Sequence, residues 1–287
     1  MTLEYWYLFP ISVLIATIAM SSGVGGAVFF SPLFMIGLKL EPTVAIGTAL
    51  VTELFGFSSG LYAYARRHLI DFKLGFSLLL FALPAAVIGS LSADYFAPVI
   101  LKTIFAVGIM FIGTQLYLSF KKEQREKLDV EIAAEAQVEF ESMRTAANGT
   151  VYRYTVCEKN QGRFFAAVGG FFVGVISVGL AELEEYQLVA RCRVPSPVAV
   201  ATSIFVVVIT VLVASTGHFY HFFVHSDTEA LNQVLSLAIF TIPGVLVGGQ
   251  IGPFVQARVN PDHMKVGISL LFVLIGLFML MSVGIFR

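Results

Sequence analysis

Long runs without a charged residue constrain this chain more than any other feature. They cover Tyr5–Leu38, Leu74–Ala93, Thr103–Phe120, Phe164–Ala181, Val194–Ser226, Ala230–Ala257 and Val266–Phe286, and Pro42–Ala65 is interrupted only by Glu53. Roughly 20 apolar residues span a bilayer as a helix. Leu74–Ala93, Thr103–Phe120, Pro195–Gly217, Ala230–Ala257 and Val266–Phe286 each fit one crossing. The composition agrees: 57% of the 287 residues are apolar and 13% are charged, against about a quarter charged in soluble domains. Too little polar surface remains to cover a soluble fold. The expected class is an all-α polytopic protein of the cell membrane, with the lipid bilayer as its solvent. A net charge of −1 gives no basic field, so no nucleic-acid partner is expected. The two cysteines, Cys157 and Cys192, suggest neither a disulfide framework nor a four-ligand zinc site. No basic residue precedes Lys39, so the start of the chain lacks the n-region of a signal peptide.

Tyr5–Leu38 is too long for one crossing. Its 34 residues would make a helix of about 51 Å at ~1.5 Å per residue, against ~30 Å of hydrocarbon. Ser22-Gly23-Val24-Gly25-Gly26 stands in its middle, and each glycine weakens a helix by about 1 kcal/mol. A break is predicted there, with a short second helix from near Ala27 that carries Pro32 in its early part. Non-helical backbone at membrane depth persists only when buried in protein or lining a cavity.

Lys121–Gly162 differs in kind, with acids and bases in similar number. Lys122–Arg144 has helical spacing, including Leu128, Ile132, Glu135 and Glu139. Val151–Val156 alternates like a strand after the Asn148-Gly149 turn signal. The segment reads as a polar linker outside the bilayer, a solvated connector rather than a docking element. It divides the chain into residues 1–120, the linker 121–162 and residues 163–287.

The two flanking parts repeat. Val44-Ala45-Ile46-Gly47-Thr48-Ala49 returns as Val198-Ala199-Val200-Ala201-Thr202-Ser203, and Val24-Gly25 falls on Val178-Gly179 at the same offset. Phe81-Ala82-Leu83-Pro84 matches Phe240-Thr241-Ile242-Pro243, with Gly89 and Gly248 following, and Leu101-Lys102 with Gly113 matches Met264-Lys265 with Gly276. A collinear series of this kind is a duplication. Glycine breaks at matched places in two repeats point to a transporter binding site. A helix interrupted at depth presents free N–H groups and the positive end of a half-helix, which suit an anion.

Lysine and arginine counting sets the topology. If each broken segment is a hairpin that enters and returns, the linker, Arg66, Arg67, Lys73, Arg191, Arg193, Arg258 and Lys265 lie inside, and Lys39, Lys102 and Arg287 lie outside. The loop with His218, His221, His225, Asp227 and Glu229 is then outside. This gives two inverted repeats, each a glycine-broken hairpin plus three transmembrane helices, with 8–10 membrane segments in all. Eight crossings with cytoplasmic termini is the alternative.

Ser22-Gly23-Val24-Gly25-Gly26, Pro32-Leu33, Ala45-Ile46-Gly47-Thr48-Ala49, then Tyr64, Ile70-Asp71 and a helix with Pro84 and Gly89 together resemble the first-repeat signature of the sulfite exporter TauE/SafE family. The resemblance runs through most of both halves and excludes the linker. It implies a membrane transporter exporting or taking up sulfite, sulfonates or related small organic anions. The second repeat departs from the pattern: around Gly179 further glycines are replaced, and Glu182, Glu184 and Glu185 follow.

The candidate substrate-binding residues are Ser22, Gly23, Gly25 and Gly26 at the first break, Gly179 at the second, and the hydroxyls Thr48, Thr202 and Ser203 at matched positions. Such hydroxyls either bond an oxyanion or bond back to their own helices. Glu53 and Glu182 are the acids expected at depth, where a charge costs about 2.5–3.5 kcal/mol. They are candidates for proton coupling. The bland reading of Glu53 is glue to Thr52 or Ser58. Arg191 and Arg193 read as topology anchors, Cys192 between them as a bystander, and the three histidines as a solvated loop rather than a zinc site. A small anionic substrate and proton or sodium coupling are expected, with no cofactor. The rival classes are a membrane-embedded enzyme using carboxylates, which no HExxH or GxSxG motif supports, and a receptor or scaffold using the linker.

Overall fold

In lipid every backbone donor needs an internal partner, so apolar runs of membrane length become helices. The structure, a computed structural model, describes residues 5–130, 142–224, 228–259 and 261–285. The helices are α1 (Leu8–Ser22), α2 (Ala27–Pro32), α3 (Pro42–Arg66), α4 (Phe72–Ser92) and α5 (Pro98–Val130) before the linker. After it come α6 (Lys159–Ile176), α7 (Leu180–Glu185), α8 (Ser196–Val224), α9 (Thr228–Gln256) and α10 (Pro261–Ile285). Five of them hold windows long and apolar enough to cross a membrane: Pro42–Arg66, Phe72–Ser92, Pro98–Leu118, Ser196–His218 and Leu231–Gln256. Shorter apolar helices fill Leu8–Ser22, Ala27–Gly37 and Val266–Ser282. The chain is therefore an all-α multi-pass integral membrane protein.

Both predicted breaks are present, and several of their backbone features recur at an offset of 154 residues. The N–H groups of Gly23 and Ser177, both left-handed, close α1 and α6 onto the carbonyls of Ala19 and Val173. Five or six residues of π-helix then follow each short helix, at Leu33–Gly37 and Tyr186–Arg191. Lys39 and Arg193 both take positive φ, and Leu40 and Val194 donate to Phe34 and Leu188. The side chains keep the register too. Tyr64 donates to the Met20 carbonyl at 2.8 Å, and the His218 ring bonds the Gly174 carbonyl at 2.8 Å. His218 is thus buried inside α8, not in a solvated loop, because that helix runs on past the last apolar residue of the predicted crossing. His225 and Asp227 lie outside the described residues. Replacing Tyr64 with Phe removes its bonds to Met20 and Gln256 and strands a buried carbonyl. A loss of about 1–3 kcal/mol is expected, read as a lower melting temperature in detergent.

Each half packs on the other. α1 lies along α9 and α6 lies along α4, while α5 and α10 pair. Glycine spacing explains the closeness. Gly244, Gly248 and Gly252 form a four-residue stripe on α9, and a methyl at Gly248 would fall 2.5 Å from the Val13 carbonyl oxygen of α1. Gly170 and Gly174 of α6 meet the backbone of α4 in the same way. Small residues at this spacing let backbones touch where lipid supplies no hydrophobic drive between helices.

One end of the molecule collects the ends of α3 and α9, the starts of α4 and α6, and the linker. Arg67 donates to the Pro253 carbonyl, and the Ala147 amide to the Arg67 carbonyl. Arg191, past the return leg of α7, pairs with Glu158 just before α6. The second broken segment therefore enters and leaves at the same end. That return also corrects the reading of the cysteines. Cys157 and Cys192, 35 residues apart, form a disulfide across the hairpin's base. Their sequence separation hid a closeness that only the hairpin creates.

The linker is not a free connector. α5 continues into it, and strands β1 (Ser142–Thr145) and β2 (Val151–Tyr154) pair antiparallel. Ile132, Glu135 and Glu139 lie outside the described residues. The hairpin docks through Asp71, the N-cap of α4, whose carboxylate accepts from Arg144 and from Tyr154 at 2.7 Å each. Burial opposes ionisation of Asp71. The bonds from Tyr154, Arg144 and the Leu74 amide outweigh it and hold its carboxyl below the ordinary 3.8. Because the folded value is lowered, the stabilisation is complete above 3.8 and fades as pH falls toward the lower folded value. Hydrogen-exchange protection of residues 142–154 is expected to hold at pH 5 and fall as the pH drops below 3.8. An Asp71→Asn variant should lose much of that protection at neutral pH.

Candidate functional site

The sequence places glycines at both breaks because the chain must turn there and approach other atoms closely. Gly23 has φ +80°, and a Cβ on it would sit 2.7 Å from Val200 of α8. Gly179 has φ +125° and caps α7. Past these turns the amides of Gly25, Ala27 and Gly179 face inward, and two carboxylates meet them. Glu182 accepts from the Gly25 amide with one oxygen at 3.0 Å and from the Gly179 amide with the other at 3.1 Å. Gly25 and Gly179 are repeat-equivalent, so a single carboxylate ties the two breaks together. Glu182 is the third residue of α7, and its reach back to Gly179 is half of a capping box. Its other bond crosses between the repeats.

Glu53, in the middle of α3, accepts from the Ala27 amide at 3.3 Å. It bonds a break rather than Thr52, which instead pairs with Thr241 at 2.9 Å. A methyl at Gly25 would stand 3.1 Å from an oxygen of Glu53 and 3.1 Å from one of Glu182. Both acids are buried. Ser31 and Ser177 add a hydroxyl contact of 3.0 Å between α2 and the second break. The space beside Glu53, among Ala16, Ala19, Gly26 and Gly56, is about 10 Å³, room for one water at most. The breaks are closed on each other in this conformation.

Gly25, Gly179, Glu53 and Glu182 of the predicted residues thus converge, and Gly23 and Gly26 shape the turn between them. The hydroxyls divide differently. Ser22 bonds back to the Ile18 carbonyl and Thr48 to the Val44 carbonyl. Thr202 accepts from the Asp71 amide at 3.0 Å, at the linker end. Ser203 is buried beside the Glu184 carboxylate of α7. Sequence reasoning missed the Ala27 amide, the cross-repeat span of Glu182, and the Tyr64 and His218 pair. The 154-residue offset, applied to Tyr64, was the signal that could have found His218.

Two helical segments broken at matched points gather backbone donors round carboxylates inside a multi-pass bundle, and a family match makes the chain a membrane transporter. The chain belongs to the sulfite exporter TauE/SafE family, whose model matches residues 8–279. It is similar to a probable membrane transporter protein, YunE, of Bacillus subtilis (strain 168), at 24% identity over 281 residues, covering 96% of each chain. No solved structure matches.

Proposed function

We propose that this transporter is a secondary carrier of a small sulfur-containing or organic anion, such as sulfite or a sulfonate, working by alternating access between two inverted repeats. The observation that carries the reading is the Glu182 carboxylate held between the amides of Gly25 and Gly179. Two backbone breaks already solvate an oxyanion there, and a sulfite or sulfonate presents the same kind of acceptor oxygen. The substrate takes those donors when Glu182 leaves them. Glu182 leaves most readily with a proton, which removes its charge. Glu53 stands within reach to accept or relay one. The site comprises Gly25, Gly26, Ala27, Gly179, Glu53 and Glu182. Export from a negative-inside cell runs on the membrane potential, worth roughly 2.3 kcal/mol per charge per 100 mV. Uptake requires a cotransported proton or sodium ion.

Counterflow in proteoliposomes preloaded with sulfite, methanesulfonate or a small carboxylate tests the reading. Saturable exchange of at least one is expected, and none for any of them overturns it. The inverted topology places the linker in the cytoplasm, so labelled cysteines at Lys122 and His221 should react from opposite sides of the membrane. A cytoplasmic linker also exposes Cys157 and Cys192 to a reducing compartment. Trapping thiols before lysis should then find both reduced in cells. A disulfide in cells would put the linker outside.

A further inference from the structure

The leg that returns from the second break carries more oxygen than the fold uses. Among the described residues six buried side-chain oxygens have no hydrogen-bond partner, and four of the six lie on this leg and on the helix packed against it. They are both carboxylate oxygens of Glu184, the Ser203 hydroxyl of α8 and the Oε1 of Gln187. The other two, on Ser12 and Ser215, stand in α1 and far along α8. Ser203 lies beside the Glu184 carboxylate, and Gln187 follows Glu184 by three residues on the leg. All three side chains are buried.

Comparison of the repeats supplies a second, independent observation. At the 154-residue offset Glu184 falls on Phe30, Gln187 on Leu33 and Ser203 on Ala49. The first half fills the same places with carbon alone, and all three of its residues belong to the apolar core or pack on it. The fold therefore does not require polar groups here. Apolar groups of matching shape serve a buried place as well as a polar pair or better, so buried oxygens standing without donors call for a ligand.

The chemistry of the four atoms selects that ligand. All of them are acceptors, which suit a cation and repel an anion. Among the described residues no basic side chain pairs with Glu184, and the first base after it, Arg191, is taken by Glu158 and Gln161. Hard oxygen donors suit a hard metal ion. No group of three or more His, Cys, Asp or Glu occurs among the described residues. One carboxylate balances one positive charge, and a divalent ion would leave net charge buried.

We propose that Glu184, Ser203 and Gln187 form a binding site for a monovalent metal cation, sodium, separate from the proton exchange at Glu182. The site bears on transport because α7 carries both acids, with Glu184 beside Ser203 and Glu182 on the amides of Gly25 and Gly179. An ion that fixes α7 against α8 binds differently once α7 leaves the breaks, and such differential affinity is what couples two ligands. This coupling role rests on the anion-carrier reading above, and the ion site itself does not.

Melting of the purified protein in detergent tests the site without any transport step. Sodium chloride should raise the melting temperature saturably above choline chloride at equal ionic strength, since an ion that binds only the folded state stabilises it by mass action. Glu184→Gln keeps the shape, removes the charge and should abolish that rise. Ser203→Ala and Gln187→Leu should each raise the half-saturating sodium concentration about tenfold. Ser12→Ala, at an unpartnered oxygen elsewhere, should leave it at the wild-type value. In proteoliposomes a sodium gradient should stimulate methanesulfonate or sulfite flux, and Glu184→Gln should lose that stimulation while its flux still responds to pH. A wild-type melting temperature indifferent to sodium overturns the site, and a rise produced by acid alone, equal in sodium and choline, means a proton in its place. A sodium effect that survives in Glu184→Gln also overturns it. Should that variant not fold, unchanged half-saturation in both Ser203→Ala and Gln187→Leu does the same. Sodium binding through Glu184 with flux blind to sodium removes the coupling role. Sodium binding in a protein that moves neither anion keeps the site and removes the carrier reading.

Discussion

Replacing Glu182 with Gln should abolish the pH dependence of net transport while one-for-one exchange of substrate persists. The carboxylate has two acceptor oxygens and uses one on each break. A glutamine has one acceptor oxygen and an NH2 group, so it can serve Gly25 or Gly179 but not both. It also carries neither a charge nor a removable proton. Exchange needs no net proton movement, so a carrier that has lost only its proton exchanger continues to swap anions. Glu182→Ala is a different test. It strands two buried amides at about 1–3 kcal/mol each and should lower the melting temperature as well. If Glu182→Gln loses exchange and net flux equally, Glu182 holds the fold or contacts the substrate and exchanges no proton. If pH dependence survives in both Glu182→Gln and Glu53→Gln, coupling runs through other groups.

Gly25→Leu should reduce transport on the order of a hundredfold or more while the protein still inserts and purifies. Displacement of reacting or binding groups by about 1 Å is enough for an effect of that size. Gly25 does not have positive φ, so a side chain strains no backbone there, and the effect isolates space. The first carbon of any side chain arrives 3.1 Å from both carboxylates. Ala requires the neighbours to yield by a few tenths of an ångström and should give an intermediate loss. Leu fills the place between the breaks. Gly23 behaves differently, since its φ of +80° penalises every L side chain. A Gly25→Leu variant with normal counterflow moves the site elsewhere.

Much of this architecture was legible because its signals are local. A charge-free run reports a membrane helix without reference to any other segment, and three glycines among Gly23–Gly26 report a break. The duplication extended that reach, since one half serves as a template for the other. What stayed hidden depends on partners distant in the chain. Glu182 was visible as an acid at depth, yet nothing near it in sequence indicates a bond to Gly25, 157 residues away. Thr48 and Thr202 looked alike because their repeats match, but one bonds its own helix and the other an amide at the linker end. The polar linker looked solvated because its composition is. Its docking depends on Asp71, which in the sequence is only the residue before a helix.

The glycine faces carry a consequence for a chain of half this length. The stripe on α9 finds its partner in α1, and the small-residue face of α6 finds its partner in α4. Neither half holds both members of either pair. Either half alone would leave its small-residue grooves without the helices that fill them here. Expressed as separate fragments, residues 1–120 and 163–287 should be recovered together or not at all.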